Sequence, residues 1–234
     1  MSTTMSFDII HLSSPVIYSG FVYILQNYIH PCPHDYFMKL FRYHHNLFLS
    51  GLSCVMFLMI SIGNYQTGKF ESTQALLCSP YGNNWMANTG ASLFLWSKYL
   101  EWFDTMFLHL SGKPISMLQY THHMSTACLM YLNFIDYLSP HMYIFMGSNC
   151  FVHIWMYYYF AEPRGWIHKY RQYITASQIL QHIVCLYTIY VTQQMGCEQN
   201  KYGNISGFFM YSMYLFYFVG FYANKYLASS KYLI

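Results

Sequence analysis

Charge is what this sequence has least of. Only 8% of its 234 residues are Asp, Glu, Lys or Arg, against about 25% in a soluble domain. No Lys or Arg precedes Lys39, so the basic n-region of a cleavable signal peptide is missing and none is expected. The net charge of +3 is spread out without a basic cluster, which argues against a nucleic-acid partner. The seven Cys form no CxxC pair and no Cys/His zinc spacing, so neither a zinc site nor a disulfide-rich scaffold is expected. There is no Gly-rich phosphate loop and no Ser-centred elbow. Nor is there an internal repeat, low-complexity tract or long linker to divide the chain. It reads as one domain over 1–234, with residues 1–14 and 224–234 outside a membrane.

What fills the sequence is apolar and aromatic: 55% and 21% of residues. An all-α polytopic membrane protein accommodates this composition. Seven apolar runs, each near the ~20 residues a spanning helix needs, cover 15–29, 45–63, 89–110, 115–133, 142–161, 173–193 and 205–223. The first is short, as a tilted or partly interfacial helix would be. Turn chemistry separates them: Pro31/Pro33, Gly63-Asn64, Ser111-Gly112-Lys113-Pro114, Ser139-Pro140, Pro163-Arg164-Gly165 and Gly203-Asn204. Tyr and Trp cluster near the run ends, as an interfacial belt requires.

If the runs alternate, Lys39, Arg42, Lys113, Arg164, Lys169, Arg171, Lys225 and Lys231 fall on one side and Lys69 and Lys201 on the other. The positive-inside rule then places the N-terminus in the lumen or outside and the C-terminus in the cytosol. Cys78 and Cys197 fall in the two longer non-cytosolic loops, where an oxidising compartment permits a disulfide. The sequon Asn204-Ile205-Ser206 lies on the same side, so close to the membrane that it is expected to stay unmodified.

Polar residues inside the runs are expensive and therefore functional candidates. The third run carries Lys98, Glu101 and Thr105 on one face with Asp104 at its edge. A Lys98–Glu101 ion pair leaves Asp104 in need of a partner, for which a His on the fourth run is expected. That run carries Gln119, His122 and His123 at i, i+3 and i+4. The fifth bears Asn149, His153, Met156 and Tyr157, a polar stripe on an apolar helix, with Cys150 as a further thiol candidate. The sixth bears Thr175, Gln178 and Gln181; the seventh ends with Tyr222 and Tyr226 on one face. Five such faces can line a chamber closed from lipid. His122 or His123, with His153 opposite, would supply its bases and nucleophiles.

Three classes fit these residues: a membrane acyltransferase, a metal-dependent membrane oxidase (desaturase or hydroxylase), and a non-catalytic seven-helix receptor, transporter or lipid-binding protein. Metal is disfavoured. Only one His box is present, its first position is Gln119, and His44-His45 lack a further His at i−3 or i−4. A receptor does not need nucleophile and base candidates placed together.

The ordered series Lys98-x-x-Glu101-x-x-Asp104-Thr105-x-Phe107, Gln119-x-x-His122-His123, Asn149-x-x-x-His153-x-x-Met156-Tyr157-x-Tyr159, Thr175-x-x-Gln178-x-x-Gln181 and Phe221-Tyr222-x-x-x-Tyr226 resembles the ELO family, the very-long-chain fatty acid elongases (3-oxoacyl-CoA synthases) of the endoplasmic reticulum. The resemblance implies seven transmembrane helices, with helices 2–7 around a buried acyl tunnel whose closed end caps chain length. It implies condensation of acyl-CoA with malonyl-CoA, a co-substrate, to a 3-ketoacyl-CoA with release of CO2 and CoA. No cofactor or metal is implied. Carried over, His122 is the nucleophile that forms an acyl-imidazole, His153 faces it, His123 assists, and Asp104 and Asn149 orient imidazoles. Gln119, Lys98, Glu101, Thr105, Tyr157, Thr175, Gln178, Gln181 and Tyr222 line the substrate path, while Lys113, Lys169 and Arg171 meet CoA phosphates at a cytosolic mouth. Implied partners are membrane lipids and the ketoreductase, dehydratase and enoyl reductase that complete the cycle; whether the chain also forms a homo-oligomer stays open. Three departures stand out: Gln119 where the family box usually begins with His, His109 and Ser111 where an Arg commonly follows the third helix, and Phe160 where a second Tyr is common. Gln119 leans the substrate toward polyunsaturated C18–C20 chains.

Overall fold

The computed structural model describes residues 8–80, 82–134 and 138–228. Helices joined by short turns and loops make up these residues, with no strand among them. The helices are α1 (Ser14–Tyr28), α2 (Tyr36–Gln66), α3 (Thr73–Cys78), α4 (Trp85–Leu100), α5 (Trp102–Leu110), α6 (Met117–Phe134), α7 (Met142–Ala161), α8 (Arg171–Gln194) and α9 (Lys201–Tyr222). Short polar side chains start four of them. Asp35, Ser72, Asn84 and Asn200 accept from the main-chain N–H of Met38, Ala75, Ala87 and Gly203, satisfying donors that a helix N-terminus leaves unpaired.

Each apolar run is helical, with two refinements. The second run is the core of a longer helix, the 31-residue α2, about 46 Å at 1.5 Å per residue. The third is broken at Glu101, which ends α4 and begins α5. Three helical segments are long and apolar enough to cross a membrane by length and composition: Tyr36–Gln66, Trp166–Gln194 and Lys201–Leu227. The other runs fall short because they are broken, short, or diluted by Asn, His, Ser, Thr and Tyr side chains.

Six of these rods form a closed ring. α2 packs on α4 and α7, α7 on α8, α8 on α9, α9 on α6, and α6 back on α4, while α1 lies outside against α6 and α5. The α2–α4 approach is set by a small residue: a Cβ on Gly63 would lie 2.8 Å from Ala87 Cβ, the kind of close crossing small residues allow in membranes. The ring is apolar outside and polar within. Phe48, Val55, Phe208 and Phe216 are exposed, whereas Lys98, Glu101, His123, His153, Gln181 and His182 are buried. With these three spans, that inversion describes an integral membrane protein.

The two ends of the ring differ. At one, Arg42, Lys113 and Lys225 line a common hollow, with Arg171 beside it. At the other, Cys78 and Cys197 are disulfide-bonded with Cα atoms 5.0 Å apart, tying the end of α3 to the loop after α8. Asn200 Nδ2 donates to the Leu132 carbonyl at 3.2 Å, and its backbone N–H donates to Ser139 Oγ at 2.7 Å. Asn204, the sequon Asn, is buried against His141 and Gln199 and is not placed to carry a glycan. Lys231 of the basic set lies outside the described residues.

His141, just before α7, has no exposed surface, and its Nε2 is 3.0 Å from Asn204 Oδ1. Burial lowers its pKa to about 4, against a smaller opposing effect of the Asn204 bond. A folded-state value below the unfolded ~6.5 adds stability that is complete above pH 6.5 and is lost as pH falls toward 4, about 3 kcal/mol in all. The melting temperature of detergent-solubilised protein is therefore expected to drop over that interval. In His141→Gln the drop should be shallower; equal slopes in the two proteins would sink the assignment to His141.

Candidate active site

The polar stripes of α4/α5, α6, α7 and α8 converge on one chamber of about 330 Å3 inside the ring. Its wall includes Glu101, Asp104, Gln119, His122, His123, Asn149, His153, Tyr157, Thr175, Gln178 and Gln181, and Arg171, Lys225 and Tyr226 stand toward its basic end. It lies beside a smaller slot of about 40 Å3 walled by Phe94, Met130, Phe145, Met146, Cys185 and Tyr211. Four residues line both spaces: His122, Asn149, Gln181 and His182. A second basic hollow of about 310 Å3, lined by Arg42, Ser111, Lys113 and Lys225, shares Asp104, Gln119 and Tyr159 with the chamber.

Hydrogen bonds fix much of this wall. Lys98 Nζ donates to Glu101 Oε1 at 2.6 Å and to Asn149 Oδ1 at 3.2 Å, and lies 4.1 Å from the Phe94 ring centre. An ammonium is donor only, so it fixes the amide orientation of Asn149. Asn149 Nδ2 therefore donates to His153 Nε2, at 3.2 Å. The neutral His153 ring then carries its proton on Nδ1, which faces Glu101 Oε1 at 3.6 Å. Both nitrogens of His153 thus address fixed neighbours. His122 differs: among the described residues neither of its ring nitrogens has a hydrogen-bond partner, and its ring rests against Tyr214, centroids 5.0 Å apart. His123 meets His122 edge-on at 5.2 Å and tilts against Tyr18 of α1 at 6.4 Å. The helix break places Glu101 in the chamber wall with Oε2 unpartnered among the described residues.

Several expected placements change. Asp104 does not pair with a histidine of α6. Its Oδ1 lies 3.3 Å from His45 Nε2 on α2, and its Oδ2 accepts from Tyr157 at 2.7 Å. On α6 it is Gln119 that reaches α5, its Nε2 donating to Thr105 Oγ1 at 3.4 Å. Thr105 does not line the chamber; it bonds Tyr18 of α1 at 2.7 Å. Lys98 borders the slot rather than the chamber. Tyr222 does not line the chamber; its hydroxyl accepts from Gln172 Nε2 at 2.7 Å, and Tyr226 takes the wall position. Lys169 packs over Tyr170 at 4.9 Å and Lys113 lines only the second hollow; Arg171 alone of the three expected phosphate contacts lines the chamber. Cys150 is buried and lines neither space.

Two histidines join the site unforeseen. The sequence offers His45 only as a metal ligand, because its carboxylate partner Asp104 lies on a helix far away in sequence. His182 follows Gln178 by one turn, so the stripe Thr175, Gln178, Gln181 continues into it; helical spacing alone would have found it. Among the described residues no group of three or more His, Cys, Asp or Glu is placed to hold a metal ion.

A family model described as the GNS1/SUR4 family, ELO, matches residues 3–232. The chain belongs to the ELO family. It is 34% identical over 145 residues to fatty acid elongase A of Dictyostelium discoideum, an alignment covering 62% of this chain and 53% of that one. With a putative fatty acid elongase 2 of Schizosaccharomyces pombe it shares 31% identity over 212 residues, 80% of this chain and 55% of the relative. With fatty acid elongase sre1 of D. discoideum the match is 26% over 236 residues, 98% and 88% of the two chains. The chain spans about half the length of the first relatives it matches. In this ELO chain the five ordered motifs are spread over α4 to α9, and all five contribute to the chamber wall.

Proposed function

We propose that this chain is a fatty acid elongase that condenses acyl-CoA with malonyl-CoA, giving a 3-ketoacyl-CoA two carbons longer with CO2 and CoA. One observation carries the reading: His122, with both ring nitrogens unengaged among the described residues, stands where a chamber reaching the basic end meets a narrow, mostly apolar slot. Membership of the family and the names of its relatives support the acyl-CoA chemistry.

In this reading the CoA phosphates lie at the basic end against Arg171 and Lys225, with Arg42 and Lys113 in the adjoining hollow. The thioester reaches His122 and the first carbons of the acyl tail enter the slot. An imidazole nitrogen of His122 attacks the thioester carbon, CoA departs, and the acyl group is held on the ring. Loss of CO2 from malonyl-CoA leaves an enolate, which attacks the acyl carbon and restores the imidazole. A chamber screened by the ring of helices protects that carbanion from protonation. His153, held by Asn149 and Glu101, is a positioned ring across the chamber. The His45–Asp104–Tyr157 chain braces the wall. We assign seven membrane crossings, the basic end to the cytosol and the disulfide end to the lumen of the endoplasmic reticulum, which agrees with the positive-inside rule and with an oxidised Cys78–Cys197 pair. Gln119 in the wall favours polyunsaturated C18–C20 substrates. The product then requires a ketoreductase, a dehydratase and an enoyl reductase.

The test is incubation of purified protein with malonyl-CoA and a panel of saturated and polyunsaturated acyl-CoAs, scoring CO2 and 3-ketoacyl-CoA. Product is expected with C18–C20 polyunsaturated chains. No product from any acyl-CoA, under conditions where a control elongase works, overturns the reading.

A further inference from the structure

His182 is a third imidazole at the junction of chamber and slot. Its Nδ1 lies 2.6 Å from the main-chain oxygen of Gln178. A carbonyl only accepts, so Nδ1 carries the proton and Nε2 of the neutral ring holds a lone pair. Nε2 has no hydrogen-bond partner among the described residues, and the side chain borders both spaces together with His122. The ring is fixed in place: stacked on Phe218 at 5.2 Å and edge-on to Tyr214 at 5.7 Å. Tyr214 also lies against His122, with ring centres 5.0 Å apart, so both imidazoles border the same ring and the same neck. Of the other candidates, His153 has both nitrogens facing fixed neighbours, and His123 turns toward α1 and does not border the slot. A ring whose tautomer is set by a backbone carbonyl, with its other nitrogen open to a substrate cavity, is arranged as an acid–base group.

We propose that His182 is a general acid–base catalyst that moves protons to and from His122 during the condensation. The proposal rests on the reading that His122 carries the acyl group. In the first half, the lone pair of one His122 nitrogen forms a bond to the thioester carbon. The C–S bond breaks and its electron pair goes to the CoA sulfur. The other His122 nitrogen gives its proton to His182 Nε2, directly or through one water, and His182 passes it to the thiolate. The products are a neutral acyl-imidazole and the CoA thiol. In the second half, the C–CO2 bond of the malonyl thioester breaks and its electron pair forms the new bond to the acyl carbon. The C–N bond to His122 breaks with its pair on nitrogen. His182, protonated from solvent, supplies the proton that regenerates neutral His122. One proton is consumed per turnover, balancing the carboxylate lost as CO2.

The test follows acylation in a single turnover, by intact mass of protein quenched after mixing with excess acyl-CoA. His182→Phe keeps a ring stacked on Phe218 but has no nitrogen; His182→Gln keeps polarity but cannot shuttle a proton. Both are expected to acylate about 100-fold more slowly or worse. His182→Ala is expected to recover part of its rate with added imidazole. Acylation of His182→Phe at the wild-type rate overturns the proposal, since packing alone would then explain the residue. If wild-type protein forms no adduct, or the adduct persists in His122→Ala, the failure belongs to the nucleophile assignment. A measurement on wild-type protein covers the case of variants that do not fold. Diethyl pyrocarbonate mapping should modify both His122 and His182, with protection by a non-hydrolysable acyl-CoA thioether. An unmodified His182 overturns the proposal.

Discussion

His122→Ala is expected to remove the covalent acyl adduct that wild-type protein forms with acyl-CoA alone, and to lower condensation by at least about 1,000-fold. The size of the effect follows from geometry. His122 is the one histidine of the Gln119–His123 box that borders both the chamber and the slot. His153 stands in a network with Asn149, Lys98 and Glu101, so its truncation should perturb the wall without supplying or removing the attacking atom. The check is intact mass of the two alanine variants, with CO2 release as the rate measure. An adduct that survives His122→Ala but disappears in Cys150→Ala would transfer the role to the thiol. The structure argues against that outcome, because Cys150 is buried outside both cavities.

The second large effect concerns stability. Lys98→Met removes the ammonium from a Glu101 carboxylate that is only 1% exposed and already has one oxygen without a partner among the described residues. A buried charge left alone costs about 3–5 kcal/mol. Lys98→Met is thus expected to unfold at clearly lower temperature than wild type in the same detergent. The double variant Lys98→Met, Glu101→Leu should recover most of that loss, since replacing a buried pair by apolar groups is often close to neutral. It should not recover activity, because Asn149 loses the ammonium that fixes its amide, and with it the orientation of His153. Thermal unfolding of the three proteins decides. A double variant no more stable than Lys98→Met would show that Lys98 acts by packing, through its contact with the Phe94 ring, rather than by compensating Glu101.

Helical character was legible in the sequence because apolar run length and turn residues are local properties. Run 115–133 became α6 and run 142–161 became α7 nearly residue for residue. The break of the third run at Glu101 was not legible, because an ionisable residue inside a run signals function without saying whether the backbone continues through it. The stripe residues Gln119, His122, His123, Asn149, His153, Thr175, Gln178 and Gln181 do face one chamber, since helical periodicity dictates a shared face. Which stripe residue meets which was another matter. Asp104 found His45 and Tyr157 rather than an α6 histidine, because pairing depends on the rotation and height of each helix, which sequence spacing does not set.

The sequence by itself therefore determined an all-helical membrane chain, the family's ordered motifs, and the polar faces that a bilayer forces inward. Only the tertiary structure decided that α2, α4, α6, α7, α8 and α9 close into a ring. It also decided which of the buried imidazoles have nitrogens left open. That distinction rests on neighbours from other helices, such as Glu101 and Lys98 around His153, while the Gln178 carbonyl that holds His182 Nδ1 belongs to the same helix. This is why the position of His182 on the stripe is legible from spacing, while its open nitrogen emerged only from the folded chain.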